Sequence, residues 1–240
     1  METFWLIIGV LGMGLATAYF VYRGTQVQGG QYFYWITAAI TGFAFVSYLA
    51  MATGAGSTIL DDGRQFYYFR YIDWLITTPL LLLDLALLAL ASPGRNVGLI
   101  ASLIGLDIVM ILTGLASGSS TSDFGATVWF IISSVALSGV LYLLWTRLFA
   151  AVRTRSQGIA ATFNRVAVLT IVLWVLYPIV FLLGTEGFGG VDQGFEIFLF
   201  LILDLLAKVG FGFLLLSNHQ VIGEAGGGGG GGGTQTARVR

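Results

Sequence analysis

Seven long apolar runs follow one another along this chain, separated by short polar connections. A helix needs about 20 apolar residues to cross the hydrocarbon core of a bilayer, whereas the strands of a membrane barrel are about 10 residues long and alternate in polarity. These runs are too long and too uniformly apolar for barrel strands. The predicted spans are Glu2 to Val21, Tyr32 to Thr53, Phe66 to Leu90, Val97 to Ser117, Ala126 to Leu148, Phe163 to Gly184 and Phe195 to Ser217. The sequence therefore predicts an all-α membrane protein, a bundle of seven transmembrane helices.

The composition agrees with this fold class. With 57% hydrophobic and 10% charged residues, the chain is a multi-pass membrane protein rather than a soluble domain, and we expect it in the cell (plasma) membrane. The first run begins without a basic flank or a cleavage site, so we expect a span rather than a signal peptide. Cysteine is absent, and the single histidine, His219, has no second histidine with which to complete a metal site. We therefore expect neither disulfides nor a bound metal.

The loop charges predict the orientation. If the helices alternate in direction, one side of the membrane carries Arg23, Arg95, Arg147, Arg153, Arg155, Arg165, Arg238 and Arg240 against Glu224, and the other carries Glu2, Asp61, Asp62, Asp123, Glu186 and Asp192 against Arg64. By the positive-inside rule the amino terminus is outside and the carboxyl terminus cytoplasmic. The arginines are the usual topology signal, so no nucleic-acid partner is expected. Residues 1–218 would form the membrane domain and 219–240 a flexible cytoplasmic tail, because Gly226 to Gly233 is an unbroken glycine tract.

A lysine lies near the middle of the last run. Lys208 follows Asp204 by four residues, which places the two side chains on one helix face. A cation at the centre of a spanning helix costs about 2.5 to 3.5 kcal/mol on insertion scales, and a carboxylate one turn away offsets part of that cost. The pair is therefore either a structural ion pair or a reactive amine that forms a Schiff base with a carbonyl compound, with the aspartate as counterion.

The third run carries two further carboxylates on one face. Asp73 and Asp84 are eleven residues apart, about 16 Å along a helix axis, and Arg70 and Thr77 lie one turn either side of Asp73. In the predicted orientation Asp73 belongs to the outer half and Asp84 to the inner half. An ionised Asp73, helped by Arg70, could accept a proton, and an Asp84 that is kept protonated by apolar neighbours could donate one.

Structural alternatives exist for the inner acids. The Asp84 carboxyl could be satisfied by a hydroxyl on the second helix, for which Thr37 is a candidate, and this is compatible with a donor role. Asp107 has no basic residue at helical spacing, so we interpret it as a protonated carboxyl that is hydrogen-bonded to a neighbouring helix.

Two motifs closely resemble the microbial rhodopsins, in particular the bacteriorhodopsin-like proton pumps. One is Arg70 to Leu85, RYIDWLITTPLLLLDL, and the other is Leu203 to Gly212, LDLLAKVGFG. The resemblance extends over all seven runs. It implies all-trans retinal bound covalently to Lys208 as a protonated Schiff base, with Asp73 and Asp204 as the counterions near Arg70. Asp73, Thr77 and Asp84 match the acid, threonine, acid triad of outward proton pumps.

The resemblance also implies a set of site residues. The retinal pocket would include Trp74, Thr78, Leu81, Met110, Gly114, Ser133, Trp174, Tyr177, Pro178, Phe181 and Ala207. Tyr48 and Tyr177 match tyrosines that hydrogen-bond Asp204, and Glu186 and Glu196 match an outer glutamate pair that releases the proton. Phe130 and Phe181 depart from the tryptophans of bacteriorhodopsins. Trimers are common in the family, which makes a homotrimer in the lipid bilayer an expectation.

The predicted function is thus a light-driven outward proton pump, a transporter and not an enzyme. One alternative is a sensory photoreceptor that signals through a membrane partner, which the retained Asp84 disfavours. The other is a transporter without retinal that uses Lys208 and the aspartates for ion coupling.

Overall fold

A computed structural model describes residues 1–227 of the protein. Within this range seven helices are long and apolar enough to cross a membrane. They are α1 (Glu2–Gln26), α2 (Gln31–Ala52), α3 (Tyr68–Ala89), α4 (Val97–Gly118), α5 (Asp123–Val152), α6 (Gln157–Leu183) and α7 (Gln193–Leu216). The predicted seven-helix membrane bundle is confirmed. The orientation of the termini stays a prediction.

The helix ends differ from the predicted spans because apolar runs report only the part of a helix that lies in hydrocarbon. α1 continues past Val21 to Gln26, and α6 begins at Gln157, six residues before the predicted start at Phe163. At the start of α6, the Ser156 hydroxyl accepts a hydrogen bond from the amide of Ile159, the usual role of an N-cap serine. Backbone hydrogen bonding and capping therefore carry these helices beyond their apolar segments.

The connection between α2 and α3 forms a short hairpin. Strands β1 (Thr58–Ile59) and β2 (Gln65–Phe66) pair antiparallel, with Thr58 opposite Phe66. Phe66 was predicted to begin the third span, but it belongs to β2 and is buried beside Tyr71. The hairpin therefore delays the start of α3 until Tyr68.

Helices α3 and α7 form the centre of the bundle. In the most apolar 18-residue segment of each helix, 61% of the residues of α3 and 56% of those of α7 are buried inside the protein. The corresponding fraction is 17% for α4 and for α5. α3 packs between α2 and α4, and α7 packs against α1 and α6. Arg70, Asp73, Asp84, Asp204 and Lys208 therefore lie on the two spans with the largest buried fraction, whereas Asp107 lies on α4.

Two helices contain π-helical turns, at Leu144–Leu148 in α5 and at Leu205–Gly210 in α7. A π-turn inserts an extra residue into a helical turn, and such turns often occur at functional sites. The turn in α7 contains Lys208. Pro79 in α3 and Pro178 in α6 also interrupt their helices, where each proline lacks a backbone donor.

A further helix, α8 (His219–Gly227), follows α7 where a flexible tail was predicted. Val221 and Ile222 of α8 are buried, and Ser156 donates a hydrogen bond to Glu224. The apolar pair explains the difference, because a segment that can bury two branched side chains does not stay free in solvent. The rest of the predicted tail, residues 228–240, lies outside the described residues.

The predicted orientation can be tested with single cysteines, because the chain contains none. Thr58 in β1 and Gly94 in the α3–α4 connection are both exposed and lie at opposite ends of the bundle. In intact cells, a membrane-impermeant maleimide should label a Thr58→Cys variant, whereas a Gly94→Cys variant should be labelled only after lysis. The reverse pattern would show that the bundle is inserted the other way.

Candidate functional site

The centre of the site is a buried lysine held between two carboxylates. Nζ of Lys208 lies 2.7 Å from Oδ2 of Asp73 on α3 and 2.7 Å from Oδ1 of Asp204 on its own helix. Each of the three residues is at most 2% exposed. Burying an unpaired charge costs several kcal/mol, so the two acids and the amine depend on one another. The predicted contact between Asp204 and Lys208 is present, and Asp73 is joined to it.

The two acids have different surroundings. Asp204 accepts hydrogen bonds from the hydroxyls of Tyr48 and Tyr177, both at 2.8 Å, and from the indole N–H of Trp74 at 3.2 Å. Oδ1 of Asp73, in contrast, finds no hydrogen-bond partner among the described residues. Hydrogen bonds to a carboxylate favour its charged form. Asp204 is therefore held as an anion, whereas Asp73 has an oxygen free to take a proton.

Arg70 lies in the first turn of α3 and contacts two glutamates. Its Nη1 is 3.2 Å from Oε1 of Glu196 and 3.7 Å from Oε1 of Glu186, and its guanidinium lies 4.2 Å from the ring centre of Phe200. We predicted that Arg70 would support Asp73, but the structure pairs it with the glutamates, and the cation in contact with Asp73 is Lys208. The arginine side chain is long enough to reach Glu186 in the loop after α6 and Glu196 in the first turn of α7, and it contacts these glutamates instead of Asp73.

The two glutamates are both buried but accept hydrogen bonds from different donors. Glu196 accepts hydrogen bonds from the amide and the hydroxyl of Thr185, at 2.7 and 2.8 Å. Glu186, in the loop between α6 and α7, accepts one from the hydroxyl of Tyr71. Burial raises the pKa of Glu186 to about 7, with Arg70 opposing the rise and Glu196 adding to it. Glu186 is therefore protonated in part near neutral pH.

The C-terminal half of α3 carries a carboxyl without a charged partner among the described residues. Asp84 is fully buried, and the hydroxyl of Thr37 lies 3.4 Å from its Oδ2, the contact that the sequence suggested. Its Oδ1 lacks a partner within the described part of the chain. A carboxylate with one long hydrogen bond and no counterion is strongly disfavoured in an apolar interior, so Asp84 is suited to hold a proton.

Asp107 is joined to the helix beside it, as predicted. The hydroxyl oxygen of Thr78 lies 2.7 Å from Oδ2 of Asp107 and 2.7 Å from the carbonyl oxygen of Trp74. A hydroxyl has one proton to donate, so both contacts can be hydrogen bonds only if the Asp107 carboxyl is protonated and donates to Thr78. The geometry therefore favours the structural interpretation of Asp107. Thr77 likewise donates to a backbone carbonyl, that of Asp73, at 2.8 Å.

A cavity adjoins the lysine, with about 790 Å³ of space not filled by protein atoms, part of it open to the surroundings. All twelve residues predicted to bind a chromophore line it: Trp74, Thr78, Leu81, Met110, Gly114, Ser133, Trp174, Tyr177, Pro178, Phe181, Ala207 and Lys208. Phe130 and Phe181 stack on each other in its wall, with ring centres 5.4 Å apart. The cavity is therefore largely aromatic and aliphatic, with the amine of Lys208 at its surface.

Several residues at the site were not assigned by sequence reasoning. Phe200 contacts both the cavity and the Arg70 guanidinium, and Tyr71 contacts the cavity and Glu186. Ile111, Ser134 and Leu137 complete the lining. Helical spacing offered a signal for Phe200, since it precedes Asp204 by one turn on the face that carries the lysine. No comparable signal identified Tyr71, because its glutamate partner comes from a loop.

Comparisons with known proteins agree on one family. The sequence matches the family described as "Bacteriorhodopsin-like protein" over residues 1–221. It is 47% identical to a bacteriorhodopsin of Haloterrigena sp. (strain arg-4) over 227 residues, covering 92% of this chain and 89% of the relative. It is 43% identical to archaerhodopsin-1 of Halorubrum ezzemoulense over 228 residues, covering 93% and 86%. The crystal structure of thermophilic rhodopsin from Rubrobacter xylanophilus matches with a TM-score of 0.93 and 60% identity, covering 94% of this chain and 99% of that one.

The raised pKa of Glu186 predicts a pH-dependent stability. A buried acid that holds its proton more tightly in the folded state stabilises the fold below its ordinary pKa of 4.5, and this contribution is lost as the pH rises through about 7. The thermal denaturation midpoint of the wild type in detergent should therefore fall between about pH 5 and about pH 8 by more than that of Glu186→Gln. Asp123→Asn, which alters an exposed acid, should behave like the wild type. Equal slopes for the wild type and Glu186→Gln would contradict the assignment.

Proposed function

This chain belongs to the family of bacteriorhodopsin-like proteins, and we propose that it is a light-driven outward proton pump. The observation that carries the proposal is the arrangement of carboxyls around Lys208. Asp73 touches the amine in the outer half of α3, while Asp84 is isolated in the inner half of the same helix. The protein would be a transporter and not an enzyme.

The cavity beside Lys208 fits retinal. Its wall is formed mainly by aromatic and aliphatic side chains, as an apolar polyene requires, and it reaches a buried amine that has two carboxylate partners. All-trans retinal, attached covalently to Nζ of Lys208 as a protonated Schiff base, would supply the absorption of light and a light-driven change of shape. The aromatic rings of Trp74, Trp174 and Phe181 would hold the chain of the chromophore in place.

The outer half of the protein would take the proton away from the Lys208 nitrogen. Oδ2 of Asp73 is within hydrogen-bond reach of that nitrogen, and its Oδ1 has no competing donor among the residues described. Asp204, with three donors besides the lysine, would keep its negative charge throughout. Arg70, Glu186 and Glu196 lie beyond Asp73 toward the outside, and a Glu186 with a pKa of about 7 can lose its proton to solvent near neutral pH.

The inner half would return a proton to the same nitrogen. Asp84 is the carboxyl suited to this step, because its burial and its single long hydrogen bond to Thr37 favour the protonated form. Acceptance on the outer side and donation from the inner side give an outward direction if the amino terminus is outside. Each cycle would then move one charge against a potential worth about 2.3 kcal/mol per 100 mV.

Illumination of cells tests the proposal directly. Retinal-supplied cells that express the protein in unbuffered salt should acidify the medium in light, and a protonophore should abolish the signal. Lys208→Ala should lose both the visible band and the acidification. Asp73→Asn should keep a visible band but lose most of the transport, because the acceptor oxygen is gone. A visible band without any pH change in the wild type would favour the photoreceptor alternative, and no band at all would favour a transporter without retinal.

The role of Asp84 can be separated from the outer half of the cycle. Asp84→Asn should slow the return of the proton to the Lys208 nitrogen by about 10²-fold, the size expected for loss of a positioned general acid, and added azide should restore it in part by carrying protons inward. Flash photolysis measures this step. Asp107→Asn is the matched comparison, a fully buried carboxyl on α4, and should slow the step far less. A photocycle that is indifferent to Asp84→Asn would contradict the donor role.

A further inference from the structure

The absence of a side chain at Gly9 determines where Tyr48 lies. A Cβ atom built at Gly9 of α1 would be 2.2 Å from Cδ1, 2.5 Å from Cε1 and 2.7 Å from Cγ of the Tyr48 ring on α2. Real Cβ atoms essentially never approach other heavy atoms below 3.0 Å. The phenol ring of Tyr48 therefore occupies the volume that any other residue at position 9 would fill.

The Tyr48 ring has little free space into which it could move. Tyr48 is 2% exposed and belongs to a buried apolar cluster that includes Leu6, Met13 and Leu201. A tyrosine side chain turns about two bonds only, so a shift of the ring carries the hydroxyl with it. Close packing on the other sides means that a substituent at Gly9 must displace the hydroxyl or the helices.

That hydroxyl makes a contact at the centre of the site. It donates a hydrogen bond of 2.8 Å to Oδ2 of Asp204, whose Oδ1 is 2.7 Å from the amine of Lys208. Within the described part of the chain, Tyr48 is the donor shown for Oδ2, since Tyr177, Trp74 and Lys208 all contact Oδ1. The charge on Asp204 is thus stabilised at Oδ2 by a tyrosine whose ring packs directly against Gly9.

From this geometry we infer that Gly9 is a positioning residue for the counterion Asp204, acting through the Tyr48 hydroxyl. The inference rests on the proposed function, because Asp204 is a counterion only if Lys208 carries the chromophore. A glycine that merely lets two helices approach would affect stability alone. A glycine that positions Tyr48 also affects how strongly Asp204 holds its charge, and so the colour of the pigment and its response to acid.

The experiment compares retinal-loaded Gly9→Ala, Tyr48→Phe and the double variant with the wild type. Each is titrated with acid while the visible absorption band is recorded, which needs no pumping. Asp73 and Asp204 share Lys208 as partner and titrate together, so the loss of a hydrogen bond to charged Asp204 should move the midpoint of the acid-induced spectral change to higher pH by about one unit in Gly9→Ala and in Tyr48→Phe. The double variant should shift no further than Tyr48→Phe, because the hydroxyl is already absent.

A matched control separates this effect from helix packing. Gly14 also lies on α1, and a Cβ there would come within 3.0 Å of the Phe45 ring, which has no hydroxyl. Gly14→Ala should therefore alter thermal stability without moving the acid midpoint. An unmoved midpoint in Gly9→Ala, an equal shift in Gly14→Ala, or full additivity in the double variant would each overturn the inference.

Two further outcomes are informative. If Gly9→Ala alone does not fold, Gly9→Ala combined with Tyr48→Leu should fold, because leucine lacks the ring that a Cβ at position 9 would meet. This double variant should show the acid midpoint of Tyr48→Phe, because both lack the hydroxyl. Failure of that rescue would mean that the Tyr48 ring is not the obstacle, against the inference. Absence of a visible band in the wild type would overturn the proposed function first, whereas a wild-type band with no shift in the variants would overturn the role of Gly9 only.

Discussion

The ion pair of Lys208 with two carboxylates is the interaction on which the rest of the site depends. A lone ammonium in this interior would be costly, and one carboxylate would leave a neutral pair with little reason to move a proton. Two carboxylates give an excess of negative charge, which the donors around Asp204 stabilise. Because these donors all bind Asp204, the negative charge of Asp73 is stabilised by fewer hydrogen bonds. Unequal hydrogen bonding thus makes Asp73, rather than Asp204, the carboxylate that takes a proton more readily.

The same principle separates the two ends of α3. Toward the N-terminal end the charged groups form a continuous set, in which Arg70 contacts Glu186 and Glu196 and the backbone amide of Thr185 donates to Glu196. Toward the C-terminal end, Asp84 is buried with a single long hydrogen bond, from the hydroxyl of Thr37. A proton meets several acceptors in one direction and a single donor in the other. The N-terminal half of the helix is therefore surrounded by polar groups and the C-terminal half by mainly apolar ones, although its two aspartates are chemically alike.

Much of this was predictable from the sequence, for physical reasons. Spans could be located because hydrocarbon excludes polar residues, and the face shared by Asp73 and Asp84 follows from helical spacing alone. The lining of the cavity followed from a resemblance carried by two ungapped motifs. The partners of Arg70 could not be predicted from helical spacing, because Glu186 lies in the loop after α6 and Glu196 lies on a different helix, in the first turn of α7. The helix ends could not be predicted either, because they are set by capping contacts such as that of Ser156 and not by hydropathy. Helix α8 was missed because its two buried residues, Val221 and Ile222, do not form a long apolar run.

Helix α8 changes where the structural unit ends. The last membrane span stops at Leu216, and a boundary drawn there or at Ser217 looks natural from hydropathy. The side chains of Val221 and Ile222 nevertheless complete the apolar packing at the end of the bundle, and Glu224 ties that end to Ser156 before α6. A reporter protein fused directly after Ser217 would replace this packing with solvent and leave an apolar surface uncovered. Fusions, truncations and purification tags are therefore better placed after Gly227 than at the membrane boundary.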